Sequence, residues 1–517
     1  MNRRRYAPVI AIGSLTLLLA ACGGGGASGS TTTTAASQNS DTLTIASNIA
    51  PNSLNPALGG SEDPQEYFFE LAYDTLLHRA KDGTLKPGLA TEWKWAGTGS
   101  RTLELTLRDG IVFSDGSALT AQGVKDSLLY YQKAGGPLAS NLAAIATIDV
   151  LAADRLRINL SKANPDLPLY LSTNTTGEII SPKGLQDKGA LGTSTAGSGQ
   201  YVLDPAGTVS GQTYTYTPNT HYYDQSAIHW KKIVIKVIKD DNATLAALKS
   251  GEIDYAMGNP TTAEAAKKAG FQVSTTPNSI MQLMILDRTG KLSEPLSKPE
   301  VRQAMMYAVD RGAMAKSLFG SYATGYDSQV VKGADGYSDQ LAGKYPYDQA
   351  KAKQLLVQAG YPNGFDLPII VNLTGVGESK AAEAFAAGMA AIGINVKITV
   401  PANTNELFST YMKYPAMMFD YGTPVQTAYA RGNDWLYSWG NPLQEDNPEL
   451  DTLYTKAAGA TEAEAKTGWQ EFEVSLENQL YSIPMFTKDR IFYARPGLAG
   501  VDLSATNVNP LLTDLHP

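Results

Sequence analysis

The sequence predicts an α/β protein, on three observations. Asp348 heads an amphipathic run through Leu355, Leu356 and Ala359; Gly360 ends it, Pro362 forbids its continuation, and the strand Leu367 to Val371 follows. An Ala-rich helix from Glu378 to Ile392 likewise stops at Gly393 and passes into Ile394-Asn395-Val396-Lys397-Ile398. The first half adds Thr42-Leu43-Thr44-Ile45 and Leu103-Glu104-Leu105-Thr106-Leu107, both with the period-two patterning of sheet strands. Helices alternating with strands are what a sheet covered by helices requires.

From the N-terminus, Arg3-Arg4-Arg5, an apolar stretch of roughly a dozen residues and the exit Leu18-Leu19-Ala20-Ala21-Cys22 describe a secretory signal over 1–21, too short to span a bilayer. Leu-Ala-Ala-Cys resembles the bacterial lipobox, which implies that Cys22, the only cysteine, becomes a lipid-modified N-terminus. A buried thiol is the poorer reading, since nothing upstream could form a core around it. The rest of 22–40 is rich in Gly, Ser and Thr and too poor in apolar surface to order itself, so it reads as a flexible tether. Its Gly24-x-Gly26-x-x-Gly29 follows no strand and opens no helix, which makes it a low-complexity accident.

The body, 41–517, is too long for one compact core of ordinary size, so at least two domains are expected. The formal charge of −8 includes Arg3, Arg4 and Arg5, so the chain beyond the signal is still more acidic. With no long Lys/Arg run, nucleic acid and anionic membrane surfaces are poor partners. No apolar run beyond the signal nears 18 residues, so membrane contact is expected through the lipid alone. One cysteine excludes an internal disulfide, leaving stability to packing.

In the middle of the chain, Ile233-Val234-Ile235-Lys236-Val237-Ile238 is mostly apolar, as a strand covered on both faces would be. Ser297-Lys298-Pro299-Glu300 reads as a capping box with proline in the first turn, and Val301, Met305, Ala308 and Val309 continue it as an amphipathic helix.

No catalytic constellation emerges. His78, His221, His229 and His516 have no metal-ligand spacing, and the chain contains no Gly-x-Ser-x-Gly, no phosphate-loop Gly-Lys-Ser/Thr and no His-Glu-x-x-His. Neither metal nor cofactor is expected. Paired carboxylates assembled by the fold keep an extracellular glycan-active enzyme as a distant alternative.

The positive signal is a series of motifs in order. It runs Ser53-Leu54-Asn55-Pro56, Tyr73-Asp74-Thr75-Leu76-Leu77, then Leu85-Lys86-Pro87-Gly88-Leu89-Ala90 with Trp93. The most diagnostic block is Leu107-Arg108-Asp109-Gly110-Ile111-Val112-Phe113-Ser114-Asp115-Gly116-Ser117. After it come Gly197-Ser198-Gly199-Gln200-Tyr201, Ser250-Gly251-Glu252-Ile253-Asp254, Val301 to Arg311 and Ala352 to Gly360. Order and spacing together resemble the peptide/nickel type of bacterial extracellular solute-binding protein that feeds ABC importers. Gln200 departs from the family's proline, and Asn219 to Tyr223 departs twice from its Asn-Pro-x-Tyr-Trp.

Most of these motifs have plain physical jobs. Asp109-Gly110 and Asp115-Gly116 are turn dipeptides, Glu252 to Asp254 leaves a helix for a strand, and Arg302 and Asp310 read as a structural charge network. The resemblance implies two α/β lobes of the type II periplasmic-binding-protein kind. Lobe I is drawn as 41–285 plus 487–517, with an extra subdomain at about 77–195, and lobe II as 286–486. It further implies a monomer that closes on a small solute, a peptide by preference and otherwise an oligosaccharide or another polar solute. Closure delivers the solute to ABC permease subunits with no bond broken. A lipid-anchored sensor or scaffold that keeps the fold without transport is a third class.

The segment Tyr414 to Trp439 decides the ligand in this resemblance. Peptide-holding members carry Gly-Trp-x-x-Asp-Tyr-x-x-Pro there, the aspartate meeting the peptide amine. One match sets Tyr421-Gly422 against the Trp and puts Pro424 at the aspartate; a shifted match keeps Asp420-Tyr421-x-x-Pro424 and makes Asp420 the ammonium partner. Both stand. Around it, Tyr421, Tyr429, Trp435, Tyr437 and Trp439, with Arg431 among them, offer large faces with one polar atom each. Trp435 and Trp439, at i and i+4, would suit one helix face. The resemblance also places Ser53 and Leu54, Met257-Gly258-Asn259 and Gln282 along the cleft, with the Gly258 backbone close to ligand. The expected ligand-binding set is therefore Ser53, Leu54, Met257, Gly258, Asn259, Gln282, Asp420, Tyr421, Gly422, Tyr429, Arg431 and Trp435.

Overall fold

The computed structural model describes residues 41–59, 65–172, 176–372, 377–422 and 426–517. The signal, Cys22, the tether and Pro424 lie outside the described residues. Among the described residues, eleven strands form one mixed sheet. From one edge its order is Ile394–Thr399, Phe365–Val371, Ala416–Tyr421, Gln272–Ile285 and Ser482–Ala494. It continues through Tyr255–Gly258, Thr42–Ser47, Lys232–Val237, Thr213–Pro218 and Tyr201–Leu203, while Ala323–Gly325 pairs beside Ser482–Ala494. The fold is the two-lobed α/β architecture that the motifs implied, and the two longest strands, Gln272–Ile285 and Ser482–Ala494, run antiparallel through both lobes.

Burial separates the lobes. Leu43, Ile45, Phe68, Leu105, Ile158, Ile233 and Tyr255 share one core with Phe492 and Leu512. Met281, Leu283, Met305, Leu356, Phe385 and Ile483 share a second. Because successive strand residues face opposite ways, Met284 and Leu286 leave that core and pack with Trp435, Leu450 and Phe472 on the other face. The chain changes lobes inside the two long strands. In Ser482–Ala494, Ile483 and Phe486 belong to the second core and Phe492 and Ala494 to the first.

A separate four-stranded antiparallel sheet lies within the first lobe, in the order Ala90–Trp95, Thr102–Leu107, Arg155–Leu160, Ile145–Ala152. Leu103, Leu105 and Leu107 are buried in alternation with Thr102, Glu104 and Thr106. The helix Ala121–Ala134 covers it; Thr120 accepts from the Gly123 amide to start the helix, and Gly135, at φ 72°, ends it.

Several elements follow local chemistry as expected. Asp348 accepts from the Lys351 amide to cap Gln349–Gln358, and Gly360 has φ 90°. Three expectations are corrected. The Ser297 to Glu300 capping box does not form: the Ser297 hydroxyl donates to the Glu294 carbonyl and closes a short 3-10 turn, leaving Lys298 before Pro299–Ala308 without a side-chain cap. Arg302 and Asp310 are not paired, since Arg302 donates to the Leu296 carbonyl while Asp310 caps the next helix at Ala313. Lys232–Val237 is covered on one face, with Ile233 and Ile235 buried and Val234 and Val237 only half-buried. Among the described residues no helix is long and apolar enough to cross a membrane.

Candidate functional site

Between the lobes lies a cavity of about 800 Å³. The second lobe contributes Gly422 and one face of the helix Ala428–Tyr437. That helix begins where Thr427 accepts from the Ala430 amide at 3.1 Å. Its 3.6-residue period then separates two faces. Ala428, Arg431, Gly432, Trp435 and Leu436 point into the lobe, whereas Thr427, Tyr429, Asn433 and Asp434 line the cavity. Gly432 permits the inward packing, because a Cβ there would meet the Tyr454 ring at 2.6 Å.

Charge fixes this wall. Arg431 and Glu473 form an ion pair at 2.7 Å with side chains 0% and 1% exposed, and Arg431 also donates to the Gln426 carbonyl at 2.7 Å. Tyr421 donates to Asp434 Oδ2 at 2.9 Å. Burial pushes the Asp434 carboxyl up to about 6, against the downward pull of hydrogen bonds from Tyr421 and Trp439.

The first lobe supplies Phe69, Arg79, Tyr131, Asp166, Tyr170 and Glu178. The crossing strands add Asn278 and Arg490 at the junction, where Arg490 donates to Asn278 Oδ1 at 3.2 Å and to the Met257 sulfur at 3.3 Å. Burial pushes Asp166 up to about 7, with the Thr427 hydrogen bond, Arg431 and Arg79 opposing and Asp335 reinforcing the rise. Glu178 rises to about 8, and burial is again the cause.

Across the cavity, among the described residues, two hydrogen bonds join the lobes. The Thr427 hydroxyl donates to Asp166 Oδ2, and Tyr429 donates its phenol to the Ala163 carbonyl at 3.0 Å. Both come from the start of one second-lobe helix, Thr427 as its cap and Tyr429 in its first turn.

Of the expected ligand-binding residues, Gly422 and Tyr429 line this cavity, and the others are placed elsewhere. Ser53 accepts from the Asn55 amide, and the Leu54 carbonyl accepts from Tyr73. Gly258 is close to Tyr493, not to open space: a Cβ would meet that ring at 2.2 Å. Asn259 caps Pro260–Lys268 through the Thr261 and Thr262 amides. Gln282 is fully buried inside the sheet, and its side-chain amide has no hydrogen-bond partner among the described residues. Asp420 pairs with Lys488 of the crossing strand. Tyr421 and Trp435 are 2% and 1% exposed, so Tyr421 acts behind Asp434, and Trp435 is a core residue. Trp439 lies beyond the end of the helix that carries Trp435.

Sequence reasoning missed Asp166, Glu178, Thr427 and Asp434. Thr427 had a signal, a hydroxyl residue just before a helix start, and Asn164-Pro165-Asp166 carries turn chemistry. Glu178 and Asp434 had none, because their environments come from segments distant in sequence. Among the described residues no group of three or more His, Cys, Asp or Glu is arranged to hold a metal ion.

Comparison with known proteins identifies the family and the fold. Residues 84–442 match the family described as bacterial extracellular solute-binding proteins, family 5 Middle. The glutathione-binding protein GsiB of Salmonella paratyphi A is 29% identical over 339 residues, a match spanning 63% of each chain, so the similarity leaves over a third of that relative unmatched. Two solved structures share the fold. HbpA2 from Haemophilus parasuis superposes with a TM-score of 0.79 at 19% identity, covering 92% of this chain and 99% of that one. The periplasmic murein tripeptide binding protein MppA, in its unliganded open form, superposes at 0.76 and 21% identity, covering 92% and 97%. By its fold, the cavity between its lobes and the match over 84–442, the chain belongs to the bacterial extracellular solute-binding proteins of family 5.

Proposed function

We propose that this protein captures a peptide-like solute in the interlobe cavity and delivers it to the membrane subunits of an ABC importer, acting as a monomer held outside the cell by lipid on Cys22. The observation that carries the reading is the cavity itself, walled by both lobes and bridged by Thr427 to Asp166 and Tyr429 to Ala163. A solute touching both walls stabilises the closed form over the open one and so shifts the population toward closure. Nothing in the solute need be broken for that, and we assign no catalytic residue.

The wall chemistry supports a peptide. Asn141, Asn164, Asn278, Gln426 and Asn433 offer both donors and acceptors to an amide backbone, and Tyr170, Tyr429 and Trp439 offer faces for side chains. The names of GsiB and MppA, glutathione-binding and murein tripeptide binding, point to the same class of solute.

Thermal unfolding in pooled di- and tripeptides, glutathione and pooled oligosaccharides tests this. A ligand at a hundredfold its dissociation constant adds about 2.7 kcal/mol. A raised midpoint with the peptides or glutathione is the expected result. A rise with oligosaccharides alone would replace the peptide and keep the binding role, and hydrolysed products in the recovered mixture would contradict it.

A further inference from the structure

The first-lobe wall contains a carboxyl that the described residues leave without a cation. Glu178 lines the cavity and is 6% exposed. Among the described residues its Oε2 has no hydrogen-bond partner, and no cation pairs with it. Asp166 and Asp434 of the same wall differ. Asp166 accepts from Thr427, and Asp434 accepts from Tyr421.

The local backbone holds Glu178 in place. Ile179 donates to the Asp74 carbonyl at 3.1 Å and Leu76 to the Gly177 carbonyl at 3.2 Å. Gly177 lets the chain pass close to Leu171, whose carbonyl oxygen would lie 2.3 Å from a Cβ. The phenols that feel its charge are Tyr73 and Tyr131, and neither donates to it: Tyr73 donates to the Leu54 carbonyl and Tyr131 to the Pro56 carbonyl at 2.6 Å. The remaining charged groups of the wall are Glu66, Arg79, Lys162 and Arg490, with Arg490 directed to Asn278 and Met257. The Glu178 backbone amide is the one donor that lowers its carboxyl, and Oε2 is left over; a buried carboxyl so little compensated is costly and is matched best by a cation brought to it.

We propose that Glu178 receives a protonated amine of the bound solute, and that Glu178, not Asp420, is the carboxylate that selects for it. This rests on the solute-binding reading above. Asp420 is already paired with Lys488. With no cation beside it, burial keeps Glu178 protonated, since its carboxyl is pushed up to about 8. When the ammonium enters, the Glu178 O–H bond breaks, the proton leaves to solvent and a carboxylate–ammonium pair remains. Binding at pH 7 therefore releases close to one proton that the Gln variant does not release. Asp166 and Asp434, also raised, contribute equally in both proteins and cancel in the difference.

The test is calorimetry at pH 7 in two buffers of different ionisation enthalpy, with pooled free-amine dipeptides and tripeptides and with the same pools N-acetylated. The wild type is compared with Glu178→Gln and Asp420→Asn. Expected are selective binding of the free-amine pools, loss of about ten- to hundredfold in that affinity in Glu178→Gln, retention in Asp420→Asn, and proton release in the wild type. Equal binding of acetylated and free pools to the wild type, or free-amine binding without proton release, overturns the proposal and leaves the binding reading standing. No binding of any pool overturns both. The comparison of free-amine with N-acetylated pools on the wild type needs no variant, so a Glu178→Gln protein that fails to fold does not spare the idea.

Discussion

On the second-lobe side of the cavity, three charged groups are met from within the protein. Arg431 meets Glu473, Asp434 meets Tyr421, and Asp420 meets Lys488. On the first-lobe side, Glu178 is buried with no cation beside it and with Oε2 unpartnered among the described residues. A wall whose charges are satisfied internally is rigid and can dock, whereas a wall with an unmatched carboxyl can discriminate. Hydrogen bonds from Thr427 and Tyr429 join the two walls.

The comparison breaks most readily at its rigid side. Replacing Arg431 by Met leaves Glu473 buried without its cation, and stability to urea should fall by about 3–5 kcal/mol. A loss under 1 kcal/mol would mean that the pair does not hold the helix. Trp435→Ala should cost a similar amount, about 3–5 kcal/mol, because it empties a core site. A variant that keeps its stability but loses ligand would return Trp435 to the cleft.

The discriminating side should respond to pH. The folded state raises the Glu178 carboxyl from its ordinary 4.5 to about 8, so the unfolded chain ionises first. Wild-type stability attributable to this group is thus intact below about 4.5 and declines as pH rises to about 8, by about 1.4 kcal/mol per pH unit. Without ligand, Glu178→Gln should match the wild type at pH 4 and exceed it increasingly up to pH 8, as followed by urea unfolding at each pH. Parallel curves for the two proteins would show that Glu178 ionises as an ordinary carboxyl.

The joining contacts carry smaller effects. Thr427→Val removes a helix cap and the donor to Asp166, so about 1 kcal/mol of stability should go together with a weaker apparent affinity. Tyr429→Phe removes only the hydrogen bond to Ala163, about 0.5–1.5 kcal/mol of the closed form, and should lower affinity up to about tenfold without altering the fold. Unchanged affinity in both would separate these contacts from binding.

What could be read from the sequence follows the same division. Turns, caps and strand patterns around Asp348, Gly393 and Leu103 to Leu107 depend on neighbours a few residues away, and the structure forms them as expected. The family motifs also rest on such local features, which is why they disclosed the fold. The cavity does not. Whether Arg431 faces a ligand or Glu473, whether Asp420 meets an amine or Lys488, and whether Gly258 approaches solute or Tyr493 depends on strands and helices that return from far along the chain. The Ser297 to Glu300 box failed for a related reason, since the Ser297 hydroxyl had a nearer acceptor in the preceding turn.

The central claim, that solute bound between the lobes closes them, is tested most directly by small-angle X-ray scattering from the protein with and without the peptide pool that raises its unfolding midpoint. The account predicts a smaller radius of gyration with ligand, and a reduced contraction in Thr427→Val at matched saturation. An identical scattering profile with and without a saturating ligand would contradict it.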